Sequence, residues 1–475
     1  MTLPRVVVLG AGPTGLGAAF QLTRRRRATV TVCEQASVVG GNAGSFELAG
    51  QNVDYGSHRL HPACDPAVFG DLRTLLGEDL QTRPRHGRIR LRGRWIHFPL
   101  KPVDLALRIP PDFLAGVGRD ALVKLWRRRG VPAGEDATFA DVLQAGLGRT
   151  ICRDFYFPYA RKVWGCAPSE LAATQARRRV GASSFAKLAR KVAAAIPGLR
   201  PEGAGIFYYP RKGYGQISDA LYDAAVAGGA KVHLAAAVRA VHHASGRALA
   251  VRYEHEGALH TVEADHVWST LPLTILVRVL DPAPPAAILE AASSLKFRSM
   301  ILVYLVLEQN RFSEYDAHYF PEPDIRISRL SEPKNYSTVG PAERTVLCAE
   351  LPCAPTESEW RLPDAELGQL VADDLARAGL RIAAPVKEVM IRRLPHAYPI
   401  YRRGYESHFR ELDAYIDGFS NLLTLGRQGL FVHDNTHHAL AMAYAAATCV
   451  DDDGGFDRTR WRSYRRDFDR HVVED

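Results

Sequence analysis

The chain has 475 residues, 47% of them hydrophobic and 24% charged, with a formal net charge of +9. That length exceeds one simple core and predicts two interleaved domains. The composition is globular, with no low-complexity linker and no apolar run of bilayer-spanning length. The first residues are expected to lead directly into a core strand, and no signal peptide is expected. Seven cysteines, an odd number without a CxxC pair, point to reduced thiols and a cytoplasmic location. No nucleic-acid motif accompanies the positive charge, so a nucleic-acid partner is not expected.

Val6-Val7-Val8-Leu9, Gly10-Ala11-Gly12-Pro13-Thr14-Gly15, an apolar helix and Val30-Thr31-Val32-Cys33-Glu34 follow in order. They read as strand, glycine turn, helix, strand and acid. Gly10 permits the tight turn, Gly12 lets backbone approach a pyrophosphate, and Gly15 lets the helix pack on the strand. Pro13 and Thr14 open the helix, whose free N–H groups and dipole suit phosphate. Glu34, with Gln35 beside it, stands where a carboxylate takes both ribose hydroxyls. A bound dinucleotide is the expectation. Arg24 to Arg27 end the helix, where cations complement its dipole.

Val38-Val39-Gly40-Gly41-Asn42-Ala43 comes next, and its glycine pair lets the chain run close to a long cofactor. These motifs resemble the FAD-binding superfamily of flavin amine oxidases, protoporphyrinogen oxidases, carotenoid desaturases and UDP-galactopyranose mutases. Gly-Gly-Asn-Ala is most similar to the mutase branch; the oxidases usually carry arginine where Asn42 stands. The resemblance implies FAD and an α/β fold. A Rossmann-type, glutathione-reductase-like FAD-binding domain would be interleaved with an α+β substrate domain. The FAD domain is expected to be discontinuous, over 1–75, 203–272 and 421–475. The substrate domain takes 76–202 and 273–420.

Gly56-Ser57-His58-Arg59-Leu60-His61 is similar to the mutase Gly-x-His-x-x-His segment. That likeness implies His58 beside the flavin, in a catalytic and cofactor-binding role, with His61 secondary. Arg83 to Lys101 holds six arginines and a lysine. Its stretch Arg88-Ile89-Arg90-Leu91-Arg92 alternates with period two and predicts a strand with one basic face. Such a face suits an anionic pocket or an acidic membrane surface. Helices are predicted over Leu122–Arg129, Phe139–Leu147, Ile151–Trp164 and Ser184–Ala195. Tyr159-Ala160-Arg161-Lys162-Val163-Trp164-Gly165 resembles the mutase segment Tyr-x-x-Lys-x-Trp-Gly, which implies Arg161 and Trp164 in a sugar-nucleotide region. Phe207 to Ile217 resembles the Tyr-Pro-x-x-Gly-x-Gly loop, with Tyr214 a pocket candidate.

Lys231–Leu234 reads as a strand with Val238–Val241 as its continuation, and relatives contact adenine through the backbone matching Val238. Ala264–Pro272 resembles the strand returning to the dinucleotide fold. Some amine oxidases hold a water at flavin N5 with a lysine near the place of Lys296, which makes Lys296 a catalytic candidate. Ser299–Glu308 and Thr345–Pro352 are expected as antiparallel neighbours. Arg329, Tyr398 and Tyr401 are substrate-binding candidates, because mutases use arginines and tyrosines late in the chain on a diphosphate.

Asn421 to Arg427 predicts a strand ending in Gly426-Arg427, followed by a helix from about His437 to Cys449. The segment resembles the C-terminal flavin motif of the mutase and protoporphyrinogen-oxidase branches. Arg427 then lies close to the flavin, in a catalytic and cofactor role, with Gly426, Thr436 and His437. Asn435 stands where mutases place an aspartate on the ribityl chain, keeping a hydrogen bond but losing a charge. No Ser-His-Asp elbow, HExxH helix or P-loop is present, and His437-His438 lack metal-ligand spacing. No metal is expected.

The resemblance implies an FAD-dependent oxidoreductase that moves hydride from a small anionic or sugar-like substrate to flavin N5. An alternative is a mutase-like isomerase using reduced FAD as nucleophile on a nucleotide sugar. A third is a non-catalytic binding protein of the same fold, which the intact glycine motifs and Glu34 disfavour. The ligand is a small molecule, anionic or nucleotide-linked; the oligomeric state is open.

Overall fold

A computed structural model of the chain describes residues 3–127, 136–180, 203, 205–337 and 339–473. The helix expected over Ser184–Ala195, and the end of that expected over Leu122–Arg129, lie outside these residues. The described part of the latter belongs to the helix Pro111–Arg127.

Five strands form a parallel sheet in the order Leu422–Thr424, His266–Ser269, Arg5–Leu9, Thr29–Cys33, Lys231–His233. Successive side chains of a strand alternate between faces, so a strand buried on both sides reads as an apolar run. Val6 and Val8 enter a core with Leu16, Leu221 and Leu440, from the helices Pro13–Arg24, Gln216–Ala227 and Thr436–Ala447. Val7 and Leu9 enter a second core with Val241, Val251 and Leu276.

The expected continuation of Lys231–Leu234 into Val238–Val241 is corrected. Lys231–His233 pairs in parallel with Thr29–Cys33, whereas Ala237–Ala244 belongs to a separate four-stranded sheet, antiparallel to Arg247–His255. Ala235, at φ +50°, redirects the chain between them.

A seven-stranded sheet forms the second layer. Its order is Val386–Ile400, Lys296–Leu307, Thr345–Cys353, Arg329–Ser331, Ala317–Tyr319, Gly87–Leu91, Arg94–Phe98. The expected antiparallel pair is present, with Ser299 opposite Cys353 and Leu307 opposite Thr345. Ile301, Val303 and Leu305 fill one core, and Met300, Leu302 and Tyr304 fill the other. The basic strand also forms, but Arg88, Arg90 and Arg92 do not line the cleft described below. Arg88 lies between the rings of Trp95 and Tyr315, 4.3 Å from each centroid. Arg90 pairs with Glu322 at 2.7 Å and Arg92 with Asp112 at 2.6 Å.

Asp54 ties the layers together. Its buried carboxylate accepts from the Ser45 hydroxyl (2.6 Å), the Tyr209 hydroxyl (2.8 Å) and the Tyr214 N–H (2.9 Å). The Tyr304 hydroxyl donates to the Asp54 carbonyl at 2.6 Å. Burial pushes the Asp54 carboxyl up to about 6, against the pull of its three donors. The seven cysteines are buried and unbridged. Among the described residues, no helix is long and apolar enough to cross a membrane.

Candidate active site

The glycine turn has the geometry its sequence requires. Gly10 sits at φ +101°, and a Cβ on Gly15 would stand 2.0 Å from the Gly10 carbonyl oxygen. Gly12 differs: a Cβ there meets nothing within 4 Å, although a Cβ on Gly41 would come within 3.4 Å of the Gly12 Cα. The two glycine loops are thus pressed together, with open space before the helix N-terminus. Glu34 lies buried just after Thr29–Cys33 and accepts from the Ala11 N–H (2.8 Å) and the Ala36 N–H (2.9 Å). It therefore braces the glycine turn as well as presenting a carboxylate beside it. Gln35 is exposed next to it, and Val238 is half-buried on the four-stranded sheet.

The C-terminal motif closes on the same place. Gly426, at φ +78°, packs so tightly on Thr14 that a Cβ would meet its Oγ1 at 2.5 Å. Asn435 caps the helix Thr436–Ala447: its side chain accepts from the His438 N–H, and its own N–H donates to His438 Nδ1 at 3.3 Å. The neutral amide at this position thus has a structural task as a capping side chain. The His437 ring is buried with no hydrogen-bond partner on either nitrogen, and burial lowers its pKa to about 4.

Beside these loops lies a small, half-open cleft. Asn42, His58, Arg329, Glu350, Tyr398 and Arg427 supply its polar lining, and Met300, Leu302 and Leu394 part of its apolar wall. His58 Nε2 donates to the Tyr55 carbonyl at 2.9 Å, and its ring stacks on Tyr214 at 5.3 Å. Burial lowers the His58 pKa to about 4, so the ring is neutral near pH 7. Arg329 donates through Nε (2.9 Å) and Nη2 (2.6 Å) to Glu350 Oε1, which also accepts from the Ser57 N–H at 3.0 Å. Glu350 holds the Arg329 guanidinium charged despite its burial.

Arg427 differs from Arg329. Its Nη2 donates to the Ala397 carbonyl at 2.8 Å, and its guanidinium lies 4.8 Å from the Tyr398 centroid. It makes no ion pair among the described residues, its Nε has no hydrogen-bond partner, and burial lowers its pKa. A half-buried cation held by a carbonyl and a ring is poised to gain from a negative ligand. Asn42 Nδ2 and Gln428 Nε2 both donate to the His396 carbonyl, at 3.0 and 2.7 Å. The Gly-Gly loop, the C-terminal motif and the long strand therefore meet at one edge.

Trp164 is buried against Tyr398 and His433, with ring centroids 5.7 and 5.0 Å away. Arg179 lies over both Trp164 and Tyr398, so an aromatic and cationic cluster flanks the cleft. Three expected site residues are not brought to the cleft. Lys296 is exposed at its strand's start and donates to the Ser293 carbonyl at 2.7 Å. Arg161 is exposed on the helix Phe157–Trp164, because the buried stripe of that helix takes Ala160, Val163 and Trp164. Tyr401 is core: its hydroxyl donates to the Phe431 carbonyl at 3.0 Å and its ring stacks on Tyr405 at 4.3 Å.

Lys162 is likewise structural. Its buried ammonium donates to the carbonyls of Phe320, Glu322 and Ile327, and burial lowers its pKa to about 8. Glu350 escaped the sequence reading; the signal was one acid in the otherwise uncharged strand Thr345–Cys353. The fold also gathers Asp434, His438 and His471, which are far from any metal spacing in sequence. There the His438 Nδ1 lone pair is engaged by the Asn435 N–H and His471 bonds Asp434 at 3.4 Å, so the trio braces the helix start.

Open space before a glycine turn and helix N-terminus, a buried acid after the second strand, and a second glycine loop define a dinucleotide-binding protein. The profile of the family described as flavin containing amine oxidoreductase matches residues 13–447, and the chain belongs to that family. Its cofactor is FAD. A protein of Mycobacterium tuberculosis, named as a candidate flavin-containing monoamine oxidase, AofH, is 28% identical over 189 residues. That match spans 38% of this chain and only 40% of the relative. Among solved structures, a reduced UDP-galactopyranose mutase aligns over 99% of this chain and all of its own, with TM-score 0.79 and 19% identity. A candidate protoporphyrinogen oxidase from Exiguobacterium gives TM-score 0.70, with 19% identity over 94% of this chain and 98% of its own. A putrescine oxidase variant gives 0.62, with 17% identity over 94% and 98%. These likenesses show a shared fold.

Proposed function

We propose that the protein is an FAD-dependent oxidoreductase that oxidises a small anionic or sugar-like substrate in the cleft beside Arg427. The observation that carries this reading is the half-buried Arg427 guanidinium, unpaired with any described carboxylate, on a wall shared with Arg329 and Tyr398. Gly10, Gly12, Gly15, Gly41 and Glu34 would hold the dinucleotide, with Pro13 and Thr14 presenting the helix N-terminus to the pyrophosphate. Gly426, Asn435, Thr436 and His437 would border its flavin side. FAD, when bound, supplies a two-electron acceptor for a substrate hydride.

The residues contribute binding, orientation and dryness. Arg427 takes the substrate anion, and Arg329, fixed by Glu350, adds a second cation to the same lining. His58 is neutral and donates to Tyr55, so it offers Nδ1 as an acceptor rather than a charge. Met300, Leu302 and Leu394 exclude water.

The mutase-like isomerase is the second reading. It is favoured by the cation and ring cluster of Arg179, Trp164 and Tyr398, which suits a nucleotide ring beside a diphosphate. Anaerobic mixing separates the two. An oxidoreductase substrate bleaches the oxidised flavin band in one turnover. A nucleotide sugar that perturbs the band without bleaching it, and is isomerised only by reduced enzyme, would replace the oxidoreductase reading with the mutase one.

A further inference from the structure

Two consecutive helices, Pro102–Arg108 and Pro111–Arg127, carry a surface that the cleft chemistry does not use. Thirteen large hydrophobic residues are exposed among the described residues, and six of them lie here. They are Val103, Leu107, Leu114, Leu122, Val123 and Trp126, with Trp126 89% and Leu107 76% exposed. Such clustering is unlike the scattered exposure normal for a protein surface. At ~100° per residue, Leu122, Val123 and Trp126 share one arc of the second helix, and Arg119 projects from within it. The opposite arc is the docked one. Phe113 is buried there, Gly116 abuts Thr150, and Asp120 accepts from the Thr150 N–H at 2.6 Å. Val103 and Leu107 share a face of the first helix by their four-residue spacing.

Charge identifies the occupant. The acids of both helices are engaged internally: Asp104 with the His97 N–H and Arg108, Asp112 with Arg92, and Asp120 with Thr150. The exposed Lys101 and Arg119 have no carboxylate partner among the described residues. The two helices therefore expose tryptophan, aliphatic side chains and uncompensated cations, with Arg119 on the same arc as Trp126, on a chain of net charge +9. We propose that this face seats on an anionic lipid surface, as an interfacial amphipathic segment that does not span it. Trp126 and the aliphatic side chains enter the headgroup boundary, and Lys101 and Arg119 meet lipid phosphates.

The test is flotation of the holo-protein with vesicles of phosphatidylglycerol and phosphatidylcholine, against pure phosphatidylcholine. Binding at least tenfold stronger to the anionic vesicles is expected, weakened by salt, with a blue shift of Trp126 emission that Trp126→Phe removes. The double variant Leu107→Ser, Trp126→Ser should lose at least tenfold in vesicle binding while keeping its flavin content and cleft activity. Equal binding by wild type and variant, or none by wild type, would overturn the proposal. So would a concentration-dependent dimer that the variant abolishes in a protein that ignores vesicles.

Discussion

Replacing Gly12 by valine separates folding from cofactor binding. Gly12 has φ −73° and ψ 176°, extended values that any residue adopts, so the substitution brings no backbone strain. Its Cβ would meet no atom of the protein within 4 Å. The folding cost is that of a poorer N-cap, about 1 kcal/mol. The valine methyls must instead occupy the open space before the helix, because the Gly41 side is already closed: a Cβ on Gly41 would stand 3.4 Å from the Gly12 Cα. If that space holds the pyrophosphate, FAD affinity falls by at least ~100-fold, about 2.7 kcal/mol. Gly15→Ala is the contrasting control. Its Cβ would stand 2.0 Å from the Gly10 carbonyl, so it should cost the fold itself about 3 kcal/mol or more. The assay pairs the flavin-to-protein absorbance ratio with urea unfolding of the flavin-free proteins, since bound FAD would otherwise stabilise the wild type by mass action. Gly12→Val is expected to unfold near the flavin-free wild type yet purify without flavin. A Gly12→Val protein with full flavin content would refute the placement of the cofactor.

Further outcomes follow from the cleft. Arg427→Gln should weaken binding of anionic ligands at least tenfold, about 1.4 kcal/mol, and leave neutral ligands unchanged, as read by flavin difference spectra. Trp164→Ala should lower substrate affinity and spare flavin content; unchanged affinity would remove the aromatic cluster from the substrate region. Lys162→Met should destabilise the protein by about 2 kcal/mol, measured by urea unfolding, because three buried carbonyls lose a charged donor. His58 carries a pH prediction. Its folded pKa of about 4 lies below the ~6.5 of an unfolded histidine. The folded state thus resists protonation, and stability falls as pH drops from about 6.5 toward 4. Discounted for partial exposure, the loss by pH 5 is about 1 to 2 kcal/mol. His58→Gln should lose less stability than wild type over that window.

The cofactor side of the site was legible in the sequence because its determinants are local. Gly10, Gly12, Gly15 and Glu34 lie within one strand–helix–strand unit, where spacing alone sets their geometry. The substrate side was less legible because long-range packing decides it. Glu350 reaches the cleft only because its strand lies between Lys296–Leu307 and Arg329–Ser331, which brings Arg329 alongside it. Arg161 and Lys162 are adjacent in a suggestive motif, yet helix periodicity leaves one in solvent and ties the other to three carbonyls. Lys296 and Tyr401 looked suitable by residue type; one strand end and one core contact removed them from the cleft. The arginines of the strand Gly87–Leu91 followed the expected alternation, but neighbouring rings and acids consumed their charge. Val238 shows the limit of strand reading, since a single positive φ at Ala235 moved it into another sheet.

The most direct test of the central claim is an anaerobic titration of the purified holo-protein, wild type and Arg427→Gln, followed by flavin absorbance. The titrants are small carboxylates, sugar acids, and UDP, dTDP and GDP. Bound flavin is expected in both proteins, with a saturable response to an anionic ligand in the wild type that is weakened at least tenfold in the variant. Bound flavin that no anion perturbs, or an equal response from both proteins, would contradict it.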